Sequence, residues 1–273
     1  MNDVFIKINM DNKLKMIKYS RSIGIVGGVG PYAGIELARK ILLATKASSD
    51  QEHIPILLHS RPNLIMDRTS FLMDRSLENP GLILGEIMRE LAMNGAVVIG
   101  MPCNTAHSPA ILDTALSKIE DIKEKTFFVN MISSVVEYIS QYRHINKVGI
   151  LSTIGTYQAK IYQDAFIKKG ITTIFPCEKG RRFVQQAISN RKFGIKAVCC
   201  PPTAQAKNIL LEQARLLIQK GSRIILLGCT EIPLALTEDS LDSVPFIDPA
   251  EILAEKLISV FDPEKILKKE RSI

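Results

Sequence analysis

Val97-Val98-Ile99-Gly100-Met101-Pro102-Cys103-Asn104-Thr105-Ala106-His107 decides how this chain folds. An apolar run ends at a glycine. A proline, a cysteine and small polar residues follow, and then Ala110, Ile111, Leu112, Ala115 and Leu116 recur at helical spacing. The pattern predicts a buried strand that stops at a turn and leads into a helix. A cysteine at such a turn lies near free backbone N–H groups and the positive end of a helix dipole, and both favour thiolate over thiol.

The arrangement occurs twice. Arg223-Ile224-Ile225-Leu226-Leu227-Gly228-Cys229-Thr230-Glu231 is again an apolar strand, a glycine, a cysteine and a threonine. Ile23-Gly24-Ile25-Val26-Gly27-Gly28 and Val148-Gly149-Ile150-Leu151-Ser152-Thr153 form a second matched pair, each followed by a turn with glycine. Both pairs stand about 125 residues apart, which marks an internal duplication with one cysteine in each copy.

Strand and helix patterns alternate along the whole chain. Strands are expected over 23–27, 53–59, 97–99, 127–129, 148–151, 172–175 and 224–227. Helices are expected over 35–44, 82–93, 133–142, 159–169, 182–189, 204–220 and 250–260, with a loop over 61–69. Such alternation predicts an α/β fold of two similar domains, each a mostly parallel sheet covered by helices and related by a pseudo-two-fold axis. Residues 22–128 with 245–273 are expected to form the first domain and residues 129–244 the second, behind an N-terminal extension over 1–21. Ligands of open parallel sheets bind beyond the carboxyl ends of the strands, where Cys103, Cys229, Thr153 and the Gly27–Gly30 loop all fall.

Composition narrows the partners. The net charge is +7, but part of it sits in residues 1–21 and the rest is thinly spread, so no nucleic acid is expected. No apolar stretch approaches the ~20 residues that span a bilayer, so no membrane partner is expected. Five cysteines without a framework spacing, and no export signal, point to free thiols in a reducing cytoplasm. The four histidines lack metal-ligand spacing, so no metal is expected. The 27–30 loop lacks the full glycine fingerprint of a dinucleotide site.

Two thiols at matched positions can face one ligand from opposite sides. That suits stereoinversion at carbon: one sulfur removes a proton and the other delivers one to the opposite face. Asn104, Thr105 and Thr230 place polar donors beside the cysteines. Cys177, Cys199 and Cys200 read as small buried side chains. His107 reads as a structural residue at a helix start, with polarisation of Cys103 as the alternative.

Gly27-Gly28-Val29-Gly30-Pro31, Asp50-Gln51-Glu52-His53, Asp67-Arg68-Thr69, Met101 to His107 and Gly228-Cys229-Thr230-Glu231-Ile232-Pro233 together resemble the aspartate racemase family of cofactor-independent aspartate/glutamate racemases. The resemblance implies interconversion of L- and D-aspartate in a cleft between two domains, without pyridoxal phosphate or any other cofactor, often in a homodimer. It implies a small dicarboxylic amino acid as the substrate. Cys229 would take the proton from the L-isomer and Cys103 from the D-isomer. Arg68 would bind the side-chain carboxylate. Asn104, Thr105, Thr153 and the Val29 backbone would hold the α-carboxylate and its neighbours, and Lys192 would add positive charge. Three rivals stand beside this reading: a broader aspartate/glutamate racemase, a maleate-type isomerase or small-diacid decarboxylase with a nucleophilic cysteine, and a non-catalytic ligand-binding protein.

Overall fold

The computed structural model describes residues 21–267. The expected extension over 1–21 therefore lies outside the described residues, Arg21 excepted. The first half runs β1 (Ser22–Gly27), α1 (Pro31–Leu43), β2 (Ile56–Ser60), α2 (Arg68–Met73), α3 (Gly81–Met93), β3 (Ala96–Gly100), α4 (Pro109–Ser117), β4 (Phe127–Val129) and α5 (Met131–Ser140). The second runs β5 (Lys147–Ser152), α6 (Ile154–Gln158), α7 (Ile161–Ile167), β6 (Thr172–Ile174), α8 (Glu178–Ser189), α9 (Ala204–Gln219), β7 (Ile224–Gly228), α10 (Ile232–Ala235), β8 (Ser240–Leu241) and β9 (Val244–Ile247), and α11 (Pro249–Phe261) follows.

The strands form two sheets, ordered β2-β1-β3-β4 and β6-β5-β7-β9-β8. All pairs of the first are parallel. In the second, only the edge strand β8 runs antiparallel. The repeat in sequence is thus a repeat in topology: β1 and β5 occupy equivalent places, and so do β3 and β7, whose ends carry the cysteines.

Parallel strands buried on both faces need apolar residues on both, and alternation along each strand sorts them. Ile23, Ile25, Val98, Ile224 and Leu226 point into a central cluster shared by both halves, with Leu37, Val135, Tyr162, Leu253 and Leu257. Ile99 faces an outer cluster with Leu84, Ile87 and Ile111. Leu151, Ile225 and Leu227 face another with Val184 and Leu210. Each such buried aliphatic side chain contributes about 1.5–3 kcal/mol. The central cluster fixes how the two sheets stand, and so fixes the cleft between their carboxyl ends. No helix among the described residues is long and apolar enough to cross a membrane.

The structure corrects several expectations. β9 pairs with β7 in the second sheet, so a domain boundary at 245 falls inside that strand. The chain returns to the first half at Pro249, where Asp248 caps α11 by accepting from the Ala250 N–H at 2.8 Å. The segment expected as a loop over 61–69 contains the start of α2, because Asp67 Oδ1 accepts from the Ser70 N–H at 2.8 Å. The helix expected over 159–169 is α7 alone, and Lys160 in the left-handed region (φ 52°) separates it from a preceding helix, α6, that was not expected. Thr153 caps α6.

Candidate active site

Four strand ends meet at the cleft: β1 leads into Gly28–Gly30, β3 into Cys103, β5 into Thr153 and β7 into Cys229. Gly28 turns with φ +85°, and a side chain there would meet the Pro62 nitrogen at 2.9 Å. The two cysteine loops are tied together directly, because the Thr230 hydroxyl donates to the Pro102 carbonyl at 3.0 Å. A second tie is a triangle of hydroxyls. Thr105 Oγ1 lies 3.0 Å from Thr153 Oγ1 and 2.9 Å from Thr156 Oγ1, and Thr153 donates to Thr156 at 3.1 Å. The halves approach so closely that a Cβ at Gly155 would meet Thr69 Oγ1 at 2.7 Å.

These contacts enclose an inner chamber lined by Val29, Asp67, Arg68, Thr69, Cys103, Asn104, Thr105, Thr153, Lys196, Cys229, Thr230 and Glu231. Both cysteines are 6% exposed. The chamber measures about 20 Å³, the space of one or two water molecules. An outer chamber of about 190 Å³ adjoins it through Asp67, Arg68, Lys196 and Glu231, and adds Pro31, Tyr32, Ile195 and Leu234 to the wall.

The two sulfurs stand in opposite electrostatic settings. The Cys229 thiol donates to Glu231 Oε2 at 2.9 Å. Burial pushes its pKa well up, Glu231 pushes it further, and Lys196 offsets only part, so Cys229 is protonated at neutral pH. Cys103 instead has the Arg68 guanidinium beside it. Burial works against the charge on Arg68, but Cys103, Asp67 and Glu231 together raise its pKa. Lys196 behaves alike: burial of its ammonium opposes the charge, and Glu231 and Cys229 more than compensate. The residue as a whole remains exposed to solvent.

Two buried donors in this lining have no hydrogen-bond partner in the protein, Asn104 Nδ2 and Arg68 Nε. A buried unpaired donor costs about 1–3 kcal/mol, so both are groups for a ligand to satisfy. Asn104 is oriented by Tyr162, whose hydroxyl donates to Oδ1. That hydroxyl stays protonated, since burial raises its pKa well above the usual value.

His107 is a brace. Its Nδ1–H donates to the Cys103 carbonyl at 2.8 Å, and Nε2 accepts from the Met131 N–H at 3.2 Å. Burial pushes its pKa down to about 4, so the ring is neutral and both nitrogens are engaged. It holds the backbone of the first cysteine loop and does not reach the thiol's proton.

Eight of the nine residues expected at the site line the inner chamber. Lys192 does not. It is exposed in the turn after α8, where its N–H donates to Asn190 Oδ1 at 2.8 Å. The turn carries the chain on to Lys196, the cation the cleft receives. Sequence reasoning also missed Asp67, and Glu231 as the partner of Cys229. The Asp67-Arg68-Thr69-Ser70 cap pattern was a usable signal for the first. Among the described residues, no group of three or more His, Cys, Asp or Glu side chains is placed to hold a metal ion.

A sheet pair of this topology, with a cysteine at the end of each equivalent strand, defines a two-domain racemase-type fold. The sequence profile described as Asp/Glu/Hydantoin racemase matches residues 26–257, and the chain belongs to that family of isomerases. It is similar to the broad specificity amino-acid racemase RacX of Bacillus subtilis, with 27% identity over 88% of this chain and 97% of that one. It is also similar to the Picrophilus torridus aspartate racemase, with a TM-score of 0.73 and 27% identity over 91% of this chain and 96% of that one. The glutamate racemase of Francisella tularensis, solved with D-glutamate, shares the fold with a TM-score of 0.62 and 17% identity over 92% of this chain and 84% of that one.

Proposed function

We propose that this protein interconverts L- and D-aspartate with Cys103 and Cys229, one taking the α-proton and the other giving up its own, without pyridoxal phosphate. The observation that carries the reading is the inner chamber that both cysteines line from opposite halves, tied by the Thr230–Pro102 hydrogen bond. One sulfur removes the proton from the α-carbon as the other protonates the opposite face. In the resting protein Glu231 holds a proton on Cys229, which makes Cys229 the acid and Cys103 the base. By the family pattern this state serves the D-isomer, and the L-isomer requires the proton on Cys103 instead. Arg68 is the counter-charge when Cys103 is negative, and with Lys196 it meets the acidic side chain of the substrate. Asn104 Nδ2 and the Val29 backbone receive the α-carboxylate and stabilise the carbanion, with Thr105, Thr153 and Thr230 lining the chamber around it.

An amino acid is larger than the inner chamber, so the cysteine loops part to admit it and close again, which excludes water. Five free thiols suit a reducing cytoplasm. The exposed apolar residues Ile35, Leu42 and Leu43 of α1 supply a surface for a homodimer.

The outer chamber favours a second reading. Its apolar wall of Pro31, Ile195 and Leu234 leaves more room than a carboxymethyl group needs, which suits a racemase of wider range. Chiral chromatography after incubating the pyridoxal-free protein with L-aspartate, L-glutamate and neutral L-amino acids separates the two. D-Aspartate forming fastest supports the first, equal turnover of several side chains supports the second, and no D-isomer overturns both.

A further inference from the structure

Away from the cleft, the loop between α8 and α9 holds two consecutive free cysteines. Cys199 is buried, Cys200 is exposed, and their sulfurs lie 3.4 Å apart. The backbone holds them there. Cys199 pairs with Pro202 in an isolated antiparallel bridge, and the Thr203 hydroxyl donates to the Phe193 carbonyl at 2.7 Å while it caps α9. Opposite the pair stands α1 of the first half. The Tyr32 hydroxyl lies against the Cys199 sulfur, and Glu36 acts on Cys200.

We propose that Cys199 and Cys200 form a dithiol site that captures trivalent arsenicals, one arsenic bridging both sulfurs. The spacing selects the ligand. A disulfide needs about 2.05 Å, so these sulfurs are not bonded. A linear two-coordinate soft cation needs sulfurs on opposite sides, roughly 4.6 Å apart for metal–sulfur bonds of ~2.3 Å. A tetrahedral metal needs more ligands, and among the described residues no third His, Cys, Asp or Glu completes a set. Pyramidal trivalent arsenic takes both sulfurs on one side, near van der Waals contact, as found.

The step balances without an oxidant. An organoarsine oxide loses its oxygen as water, carrying away one proton from each thiol, and two As–S bonds replace the As=O bond. Arsenic remains trivalent. Contact with Cys199 raises the Cys200 pKa, which slows exchange of the exposed Cys200 thiol with disulfides, a thiolate reaction.

The test is phenylarsine oxide added at one equivalent to the full chain, followed by desalting into excess 2-mercaptoethanol and intact mass measurement. One phenylarsenic per chain should survive the monothiol and leave with dithiothreitol. Cys200→Ser, at an exposed position, and Cys199→Ser should each lose it. The double variant Cys103→Ala/Cys229→Ala should keep it, as should Cys177→Ser. Release by the monothiol, retention in both Cys200→Ser and Cys199→Ser, or loss in the cleft double variant overturns the proposal.

Discussion

The loops that follow β3 and β7 share a plan and differ in charge. Each ends an apolar parallel strand at a glycine, presents a buried cysteine and follows it with small polar groups. Yet Cys103 has an arginine for a neighbour and Cys229 a glutamate. Duplication supplies two thiols facing one chamber. The residues around them set the two apart: burial and Glu231 hold the proton on Cys229, while Cys103 has Arg68 beside it.

The largest effect should come from removing either sulfur. Cys103→Ala and Cys229→Ala should each lower racemisation by about 10³-fold or more. Each should retain exchange of the α-hydrogen with deuterium from one enantiomer only, and the two variants should choose opposite enantiomers. Chiral chromatography with proton NMR in D2O reads both, and normal racemisation by either variant would refute the two-sulfur scheme. Enantiomers have equal free energy, so kcat/KM of the intact protein must match in the two directions. Any asymmetry between the loops can show only in kcat and KM taken separately.

Next comes the arginine side. Arg68→Lys keeps a charge but loses the planar fork, and KM for aspartate should rise roughly 10- to 100-fold, the worth of a charged hydrogen bond of about 1.5–3 kcal/mol. A neutral amino acid should show a much smaller change, and equal losses for both would remove Arg68 from side-chain recognition. On the other side, Glu231→Gln deletes the charge that helps hold the proton on Cys229. The Cys229 limb of the pH profile of kcat/KM should move to lower pH, with kcat down by about tenfold. A limb that stays in place would uncouple the pair.

The smallest effect at neutral pH concerns the brace. His107 stands four residues after Cys103, whereas Pro233 holds that place after Cys229, so only the first loop carries this titratable support. Its pKa is about 4 when folded against 6.5 when free, so the unfolded chain takes up the proton first as pH falls. Stability should therefore be unaffected above pH 6.5 and decline between pH 6.5 and about 4, by about 3 kcal/mol in all. Denaturant midpoints at several pH values should show this decline in the wild type and a flatter limb in His107→Gln.

The duplication and the strand ends were legible because apolar strands closing on glycine are strong local signals. Cys103, Cys229 and their polar followers came with them. What was not legible depended on contacts between distant segments. Lys196 reaches the cleft because Asn190 folds the turn after α8, and nothing in the spacing of Lys192 and Lys196 says which one arrives. Glu231 was visible as a residue type, but its bond to Cys229 requires the turn into α10. β9 lacked the length and alternation that reveal a strand, and it exists because β7 offers it an edge.

α11 packs Leu253 and Leu257 against the same central cluster as Ile23, Ile25 and Val98, although some 150 residues of chain separate it from β3. During synthesis the first sheet thus leaves the ribosome with its inner face covered only in part, by α1 and α5. It stays so while the whole second half is being made, and its native packing must wait for α11 to emerge. A nascent chain stopped just before Pro249 should consequently be a client of chaperones, with both cysteines already translated and no chamber yet closed around them.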